Sequence, residues 1–107
     1  MQFRGGMSEL MRQASRLQRK IEQRKKELAE EKIEADAGGG KVKAIANGAG
    51  ELVRITIDPK LLESGEDTSM VEDLVVAAAN AALTKSKEYV DAELEKVTGG
   101  MKIPGMT

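Results

Sequence analysis

The architecture of this chain follows from residues 33–58, IEADAGGGKVKAIANGAGELVRITID. Apolar and polar residues alternate along most of this stretch with the period of two that is typical of β-strands. Gly38-Gly39-Gly40 and Asn47-Gly48 interrupt the alternation, and Asn-Gly between two such runs is a strong hairpin signal. Asp58-Pro59 closes the last run. The stretch predicts a three-stranded antiparallel meander, with small alanines on one face that leave room for a helix or a second subunit.

The segment before these strands predicts an amphipathic helix that starts near Met7 and runs to about Ile33. The apolar residues of its stripe are Met7, Leu10, Ala14, Leu17, Ile21 and Leu28. They step by three and four positions, so they share one helix face. Arg24 interrupts this stripe at a position that a coiled coil would keep apolar. We therefore expect the first half of the helix to be packed and the second half to be more exposed.

A second long helix is predicted after the strands, from about Met70 to Val97. Its apolar stripe consists of Val71, Leu74, Val75, Ala78, Ala82, Tyr89, Val90 and Val97. The residues suited to cap its start are Asp67, Thr68 or Ser69. Gly99-Gly100 is expected to end it, since glycine is the common residue just beyond a helix. Between strands and helix, Leu61-Leu62 predicts a short turn that covers the sheet edge.

Residues 1–107 are thus expected to form a single α+β domain in the order α-β-β-β-α, with two long helices flanking the sheet. Residues 1–6, which include Gly5-Gly6, are expected to be a flexible leader. Residues 99–107 are expected to be a flexible tail, apolar in part and suited to docking on a partner. Only 2% of the residues are aromatic while 33% are charged, which limits the core of a monomer. We expect a homodimer, because association buries more apolar surface.

The composition also excludes several classes of function. The chain has no Cys and no His, which removes disulfides, thiolate or imidazole metal sites and histidine acid–base catalysis. Gly38-Gly39-Gly40-Lys41 lacks the spacing of a phosphate-binding loop. Thr84 and Ser86 have no histidine base to activate them, and the acids of the last helix are read as a solvated face. We expect no enzymatic activity, no metal or other cofactor and no small-molecule substrate.

Two features bear on location. The longest apolar run is far shorter than the ~20 residues that span a membrane. The first residues, MQFRGG, lack the apolar core of a signal peptide. We therefore expect a soluble cytoplasmic protein with no membrane partner.

The charge of the chain is segregated. Its net charge is −1, yet residues 1–60 hold 13 basic and 9 acidic residues, against 4 and 9 in residues 61–107. In the first helix Arg12, Arg19 and Lys26 recur every seven positions, about 10.5 Å apart along one edge. The other cations of this helix segment are Arg16, Lys20, Arg24 and Lys25. Such a row can contact successive phosphates of a polyanion and release counterions.

The sequence lacks the motifs that proteins use to recognise nucleic-acid bases. Only Phe3 and Tyr89 are aromatic, so there is no platform on which single-stranded bases would stack. No helix-turn-helix or zinc-finger spacing is present for reading base edges. The sequence therefore predicts binding to the phosphate backbone of a nucleic acid. Any preference among base sequences is expected to be weak or to follow the shape of the nucleic acid.

Several motifs taken together resemble one known family. They are Gly5-Gly6-Met7, Leu10 to Ala14, Gly40 to Lys43, Asn47-Gly48, Val53 to Pro59, Leu61-Leu62, Glu72 to Ala82, and the Gly-Gly-Met and Ile-Pro-Gly of residues 99–105. In this order and over nearly the whole length, they resemble the YbaB/EbfC family of bacterial nucleoid-associated proteins.

The resemblance implies a tweezer-like homodimer of α-β-β-β-α subunits that binds double-stranded DNA, with roles in nucleoid organisation and gene regulation. Its DNA-contacting helices map here to the basic positions of the first helix and to Lys85 and Lys87 of the last. Plastid relatives of the family resemble participants in protein targeting. A protein-interaction adaptor with no direct DNA role is therefore the alternative, and a domain of unassigned role is a third.

Overall fold

The computed structural model describes residues 3–63, 65 and 67–99, except for the side chains of residues 3–5. Its elements are α1 (Phe3–Ala29), β1 (Lys32–Ala37), β2 (Val42–Asn47), β3 (Leu52–Ile57), α2 (Pro59–Glu63) and α3 (Thr68–Thr98). The predicted α-β-β-β-α order is confirmed, with the short helix α2 inserted where a turn was expected.

The three strands form one antiparallel sheet in the order β1-β2-β3, which confirms the meander. Ala44 at the centre of β2 pairs with Ala35 of β1 and with Ile55 of β3. These residues lie on the face that points toward α3, because alternate residues of a strand share a face. A register shift between Ile45 and Ala46 marks a bulge in the β2–β3 pairing.

The β2–β3 hairpin has a different turn from the tight Asn-Gly type. The amide of Gly50 donates to the carbonyl of Asn47 at 3.1 Å, and it is Gly50 that has the positive φ, 81°. Gly48 is needed for another reason. A Cβ at this position would lie 1.9 Å from the carbonyl oxygen of Leu28, at the end of α1. The hairpin loop therefore lies directly against the first helix.

The larger core lies between the sheet and α3. Val42, Ala44 and Ala46 of β2 are fully buried against Ala78 and Ala82 of α3. The small side chains on both surfaces permit the close approach that the alanine pattern predicted. Leu61 of α2 completes this core, whereas its neighbour Leu62 is exposed.

A second core joins α1 to the C-terminal half of α3. Ile21, Leu28 and Leu94 are its buried residues. Its partly buried members are Leu17, Tyr89, Val90 and Val97. The expectation about which half of α1 is packed was therefore wrong. Among the described residues α3 ends alongside Leu17, so only the second half of α1 packs against it.

Both ends of α1 differ from the prediction. The helix begins at Phe3 and includes Gly5-Gly6, so residues 3–6 are helical and not the leader that was expected there. Residues 1 and 2 of the expected leader lie outside the described residues. Each glycine weakens a helix by only about 1 kcal/mol, which the cooperative helix that follows can offset. The helix ends at Ala29, and Ile33 lies buried in β1.

The ends of α3 agree well with the prediction. The side chain of Asp67 accepts a hydrogen bond from the amide of Ser69, so Asp67 is the cap. Gly99 has a left-handed conformation with φ of 64°, and its amide donates to the carbonyl of Glu95. The expected tail lies outside the described residues from position 100 onward.

Candidate nucleic-acid interface

The N-terminal part of α1 projects beyond the rest of the structure. Residues 3–16, which we call the arm, extend about 20 Å past the level of Leu17, where α3 ends. The principal extents of the structure are 79 × 19 × 16 Å, so the molecule is a thin rod. Cations on the arm and on the neighbouring turns of α1 are therefore open to a large partner.

The two long helices differ in charge. α1 carries eight basic and three acidic residues, whereas α3 carries three basic and six acidic residues. Because the helices lie side by side, α1 presents the positive surface of the pair and α3 the negative one. A polyanion is attracted to the α1 side.

The structure brings most of the predicted cations of α1 together. We call this set the cationic face: Arg12, Arg16, Arg19, Lys20, Arg24 and Lys26. Its members line three adjoining open grooves, and Arg19 lines all three. Lys25 is not part of it, since it lies at least about 120° around the helix from Arg12, Arg16 and Arg19.

The members of the cationic face differ in whether they already have an ion-pair or hydrogen-bond partner. Arg12 and Arg16 share the carboxylate of Glu9, at 3.1 and 3.4 Å, in exposed ion pairs of the kind that contribute little. Arg19 and Lys20 have no hydrogen bond or ion pair to another side chain of the described residues. The same holds for Lys25 and Lys26. These four cations are available to an external anion without loss of an internal partner.

Arg24 is partly buried and is held by carboxylates of both long helices. Its Nη2 lies 2.6 Å from Oε1 of Glu93 on α3, and its Nη1 lies 3.0 Å from Oε1 of Glu27. These hydrogen bonds, the one to Glu93 above all, raise the pKa of Arg24. The arginine that interrupts the apolar stripe therefore faces α3 and ties the two helices together.

Glu93 is the acidic centre of this contact. Its side chain is only 16% exposed, and its other oxygen accepts from Lys96 at 2.7 Å. The hydrogen bonds from Lys96 and then from Arg24 lower the pKa of Glu93, and the same contact raises the pKa of Lys96. Reading the acids of α3 as a solvated face was therefore wrong for Glu93.

Tyr89 makes a second polar contact beside the α1–α3 core. Its hydroxyl lies 3.0 Å from both carboxylate oxygens of Glu31, just before β1, and donates to that carboxylate. The hydrogen bond raises the pKa of the Tyr89 hydroxyl. Its ring is partly buried against Ile21, Leu28 and Leu94. This aromatic ring therefore contributes to the packing of α1 on α3.

The two candidate cations of α3 lie apart from the cationic face. The Nζ of Lys85 donates to the backbone carbonyl of Glu34 on β1 at 3.0 Å. Lys87 is exposed and forms an ion pair with Asp91 one turn further along the helix, at 3.0 Å. Neither lysine lines the grooves of the cationic face.

The acids that organise this surface were absent from the sequence-based prediction. Glu9 and Glu27 are neighbours of the arginines in sequence and could have been found from their i,i+3 spacing. Glu93 had a weaker signal. It lies next to the stripe formed by Val90, Leu94 and Val97, so an arginine in the facing stripe of α1 points to it as a partner.

The described residues show neither a metal site nor a membrane-spanning helix. They contain no cluster of acids that could hold a metal ion. None of their helices is both long enough and apolar enough to cross a bilayer.

Known proteins resemble this chain over nearly its whole length. Residues 3–101 match the model of the YbaB/EbfC DNA-binding family. The chain belongs to the YbaB/EbfC DNA-binding family. A nucleoid-associated protein of Myxococcus xanthus is 52% identical over 97 residues, which cover 91% of each chain. One from Thermoanaerobacter pseudethanolicus is 43% identical over 106 residues, covering 97% of this chain and 95% of the relative.

The fold is also found in a solved structure. An uncharacterized protein from Helicobacter pylori superposes with a TM-score of 0.73 at 25% identity, covering 86% of this chain and 96% of that one. The YbaB/EbfC family is a DNA-binding family and not a family of enzymes. The resemblance noted in the sequence is therefore confirmed.

Proposed function

We propose that this YbaB/EbfC protein binds double-stranded DNA, mainly through the phosphate backbone and with low sequence specificity. In this role it contributes to nucleoid organisation and gene regulation in the nucleoid of the cytoplasm. Membership of a DNA-binding family and relatives named as nucleoid-associated proteins support the proposal. The observation that carries it is the cationic face, above all the unpaired Arg19 and Lys20 on the open side of α1.

Low specificity is argued from the kind of side chains on this face. They are long, flexible cations on one exposed helix, and such groups hold phosphates without carrying sequence information. Stacking on Tyr89 is not part of the proposal, because the ring is partly buried in the α1–α3 core and its hydroxyl donates to Glu31. Any preference among duplexes is then expected to come from DNA shape and deformability.

The candidate contacts fall into three groups. Arg12, Arg16, Arg19, Lys20 and Lys26 are the proposed phosphate ligands of the cationic face. Lys25 lies on another side of α1, so we assign it a smaller contribution. Arg24, Lys85 and Lys87 already have partners and would have to exchange them, so we assign them smaller contributions.

We further propose that the protein acts as a homodimer. Its radius of gyration is 20.5 Å, against about 13 Å for a compact chain of this size. β3 is an edge strand with one side unpaired, and Leu52 and Val53 on it are 44% and 48% exposed. A second copy at this edge would cover these residues and present two cationic faces to one duplex.

The test is a salt titration of binding to unrelated duplexes by the wild-type protein and by Arg12→Glu/Arg16→Glu/Arg19→Glu. The wild type should lose affinity steeply as salt rises, with similar curves for all duplexes. The variant should lose binding while keeping its oligomeric state in analytical ultracentrifugation. Its matched control is Lys41→Glu/Lys43→Glu/Lys60→Glu, which changes the net charge equally at exposed positions away from α1.

Normal binding by the arginine variant would show that the proposed surface is wrong. Equal loss in both variants would show that net charge, and not the cationic face, controls binding. Partners that remain bound to the protein in nuclease-treated lysate, with no affinity for duplexes, would favour the adaptor function.

A further inference from the structure

The apolar stripe of α1 continues onto the arm, where no other described residue covers it. Met7, Leu10 and Met11 are 59%, 63% and 67% exposed. Met7 and Leu10 lie on the same helix face as Leu17 and Ile21, which pack against α3. The stripe is therefore covered where α3 lies beside it and uncovered from the point where α3 ends.

The position of that end is informative. Val97, in the last turn of α3, packs into the same core as Leu17 and lines a groove with Arg16 and Lys20 of α1. The left-handed Gly99 then ends the helix at the base of the arm. Gly99, the last described residue, therefore lies beside the start of the uncovered stripe.

The residues that follow have the composition to cover it. Residues 100–107 read GMKIPGMT, with apolar side chains at Met101, Ile103 and Met106. Met101 and Ile103 are two apart, so they share one side of an extended segment. The segment also has Pro104, which cannot continue a helix but fits an extended chain.

The length of the segment also fits the length of the uncovered stripe. From Ala14 to Met7 the stripe is about 10 Å long, at 1.5 Å per helical residue. Residues 100–106 reach up to about 20 Å when extended. The segment is therefore long enough to run from Gly99 along the whole uncovered stripe.

We propose that residues 100–107 dock in an extended conformation on the arm of the same chain, over Met7, Leu10, Met11 and Ala14, antiparallel to α1. The docked segment continues the packing of α3 and stiffens the arm that carries Arg12 and Arg16. This inference does not depend on DNA binding, since it rests on apolar burial and chain connectivity.

The test uses engineered cysteines, because the chain has none of its own. In the full-length protein, Leu10→Cys/Ile103→Cys is oxidised at low protein concentration and analysed by non-reducing electrophoresis and peptide mapping. The matched control is Ser8→Cys/Ile103→Cys. Ser8 is exposed at nearly the same height on the arm but lies on the opposite side from the stripe.

We expect an intramolecular disulfide in the Leu10 variant to form about ten-fold faster than in the Ser8 control, because docking raises the effective concentration of the two thiols. Equal rates would mean an untethered segment and would overturn the proposal. Disulfides only between chains would assign the stripe to a second copy and would also overturn it.

A second measurement requires no cysteine. Met101→Ser/Ile103→Ser/Met106→Ser should accelerate amide hydrogen exchange in residues 7–16 and leave exchange in β2 unchanged. Unchanged exchange in the arm would contradict the docking, since the serine variant removes all three apolar contacts of the segment.

Discussion

Nη2 of Arg24 and Oε1 of Glu93 lie 2.6 Å apart and join α1 to α3 beside the smaller core. The pair is partly shielded from solvent, with side-chain exposures of 27% and 16%. Glu93 accepts from Lys96 as well, and Arg24 donates to Glu27 as well. This network fixes the orientation of the two helices more than an exposed ion pair would.

Replacing Glu93 by Gln should lower the midpoint of thermal unfolding and weaken the packing of α1 on α3. The reason is that Arg24 would keep its partly buried charge and lose its charged partner on α3. Differential scanning calorimetry measures the effect. Glu95→Gln is the control, because Glu95 is exposed and its side chain has no ion pair within the described residues. A drop of the same size in the control would contradict the role of Glu93.

The same contact predicts a dependence of stability on pH. Hydrogen bonds from Lys96 and Arg24 hold the pKa of Glu93 below its ordinary value of 4.5. The folded protein therefore binds fewer protons at this group than the unfolded chain, and the stabilisation is present above pH 4.5. It is lost as the pH falls through the lower, folded pKa. Thermal melts of wild type and Glu93→Gln should converge over this acidic range, and a constant difference would argue against it.

Arg19 and Arg24 should differ in their effect on DNA binding. Arg19→Gln removes a free cation and should reduce the salt slope of binding by about one. Arg24→Gln removes the same charge from a residue already paired with Glu93, so its slope should change less while its melting temperature falls. Fluorescence anisotropy of labelled DNA at several salt concentrations, below the melting temperatures of both variants, measures the two slopes. A larger change in the salt slope for Arg24→Gln than for Arg19→Gln would contradict the proposal that Arg19 is the phosphate ligand and Arg24 the paired residue.

Gly48→Ala should strongly destabilise the fold. Its Cβ would overlap the carbonyl oxygen of Leu28, which is backbone and cannot rotate away. Overpacking of this kind costs about 1–3 kcal/mol or more. Urea unfolding measures the loss. Gly6→Ala is the matched control, since its Cβ meets nothing within 4 Å and alanine favours the helix. The clash is refuted if the two variants unfold alike.

Ser86→Ala should cost about 1 kcal/mol of unfolding free energy, the usual net contribution of a hydrogen bond. Ser86 is fully buried on α3 and its hydroxyl donates to the carbonyl of Asn47 at 2.6 Å. That bond ties the end of β2 to α3. Thr84→Ala, at an exposed position two residues away, should have little effect in the same urea titration. No difference between the two would mean that the Ser86 bond contributes nothing.

The strands and the sheet order could be predicted from sequence, because both signals are local. Alternation in residues 33–58 and the glycine turns specify neighbouring antiparallel strands. Asp67 and Gly99 likewise mark the ends of α3 through short-range hydrogen bonds. The family could be predicted for the same reason, since its motifs are short and ordered along the chain.

The packing of α1 could not be predicted from its own sequence. Its stripe is apolar in both halves, and only the position where α3 ends determines which half is covered. The partner of Arg24 is 69 positions away, beyond the reach of local patterns. Asn47-Gly48 correctly marked the place of the hairpin but not its turn type, and the contact of Gly48 with Leu28 depends on how the hairpin meets the helix.

The two cores have a consequence for how this protein can change over evolution. Among the described residues, α3 is the only element that contributes to both clusters. Substitutions on the arm leave the sheet core untouched, because no residue of the arm belongs to either cluster. The arm, which carries part of the proposed DNA-binding surface, can therefore change in sequence while the sheet core stays constant.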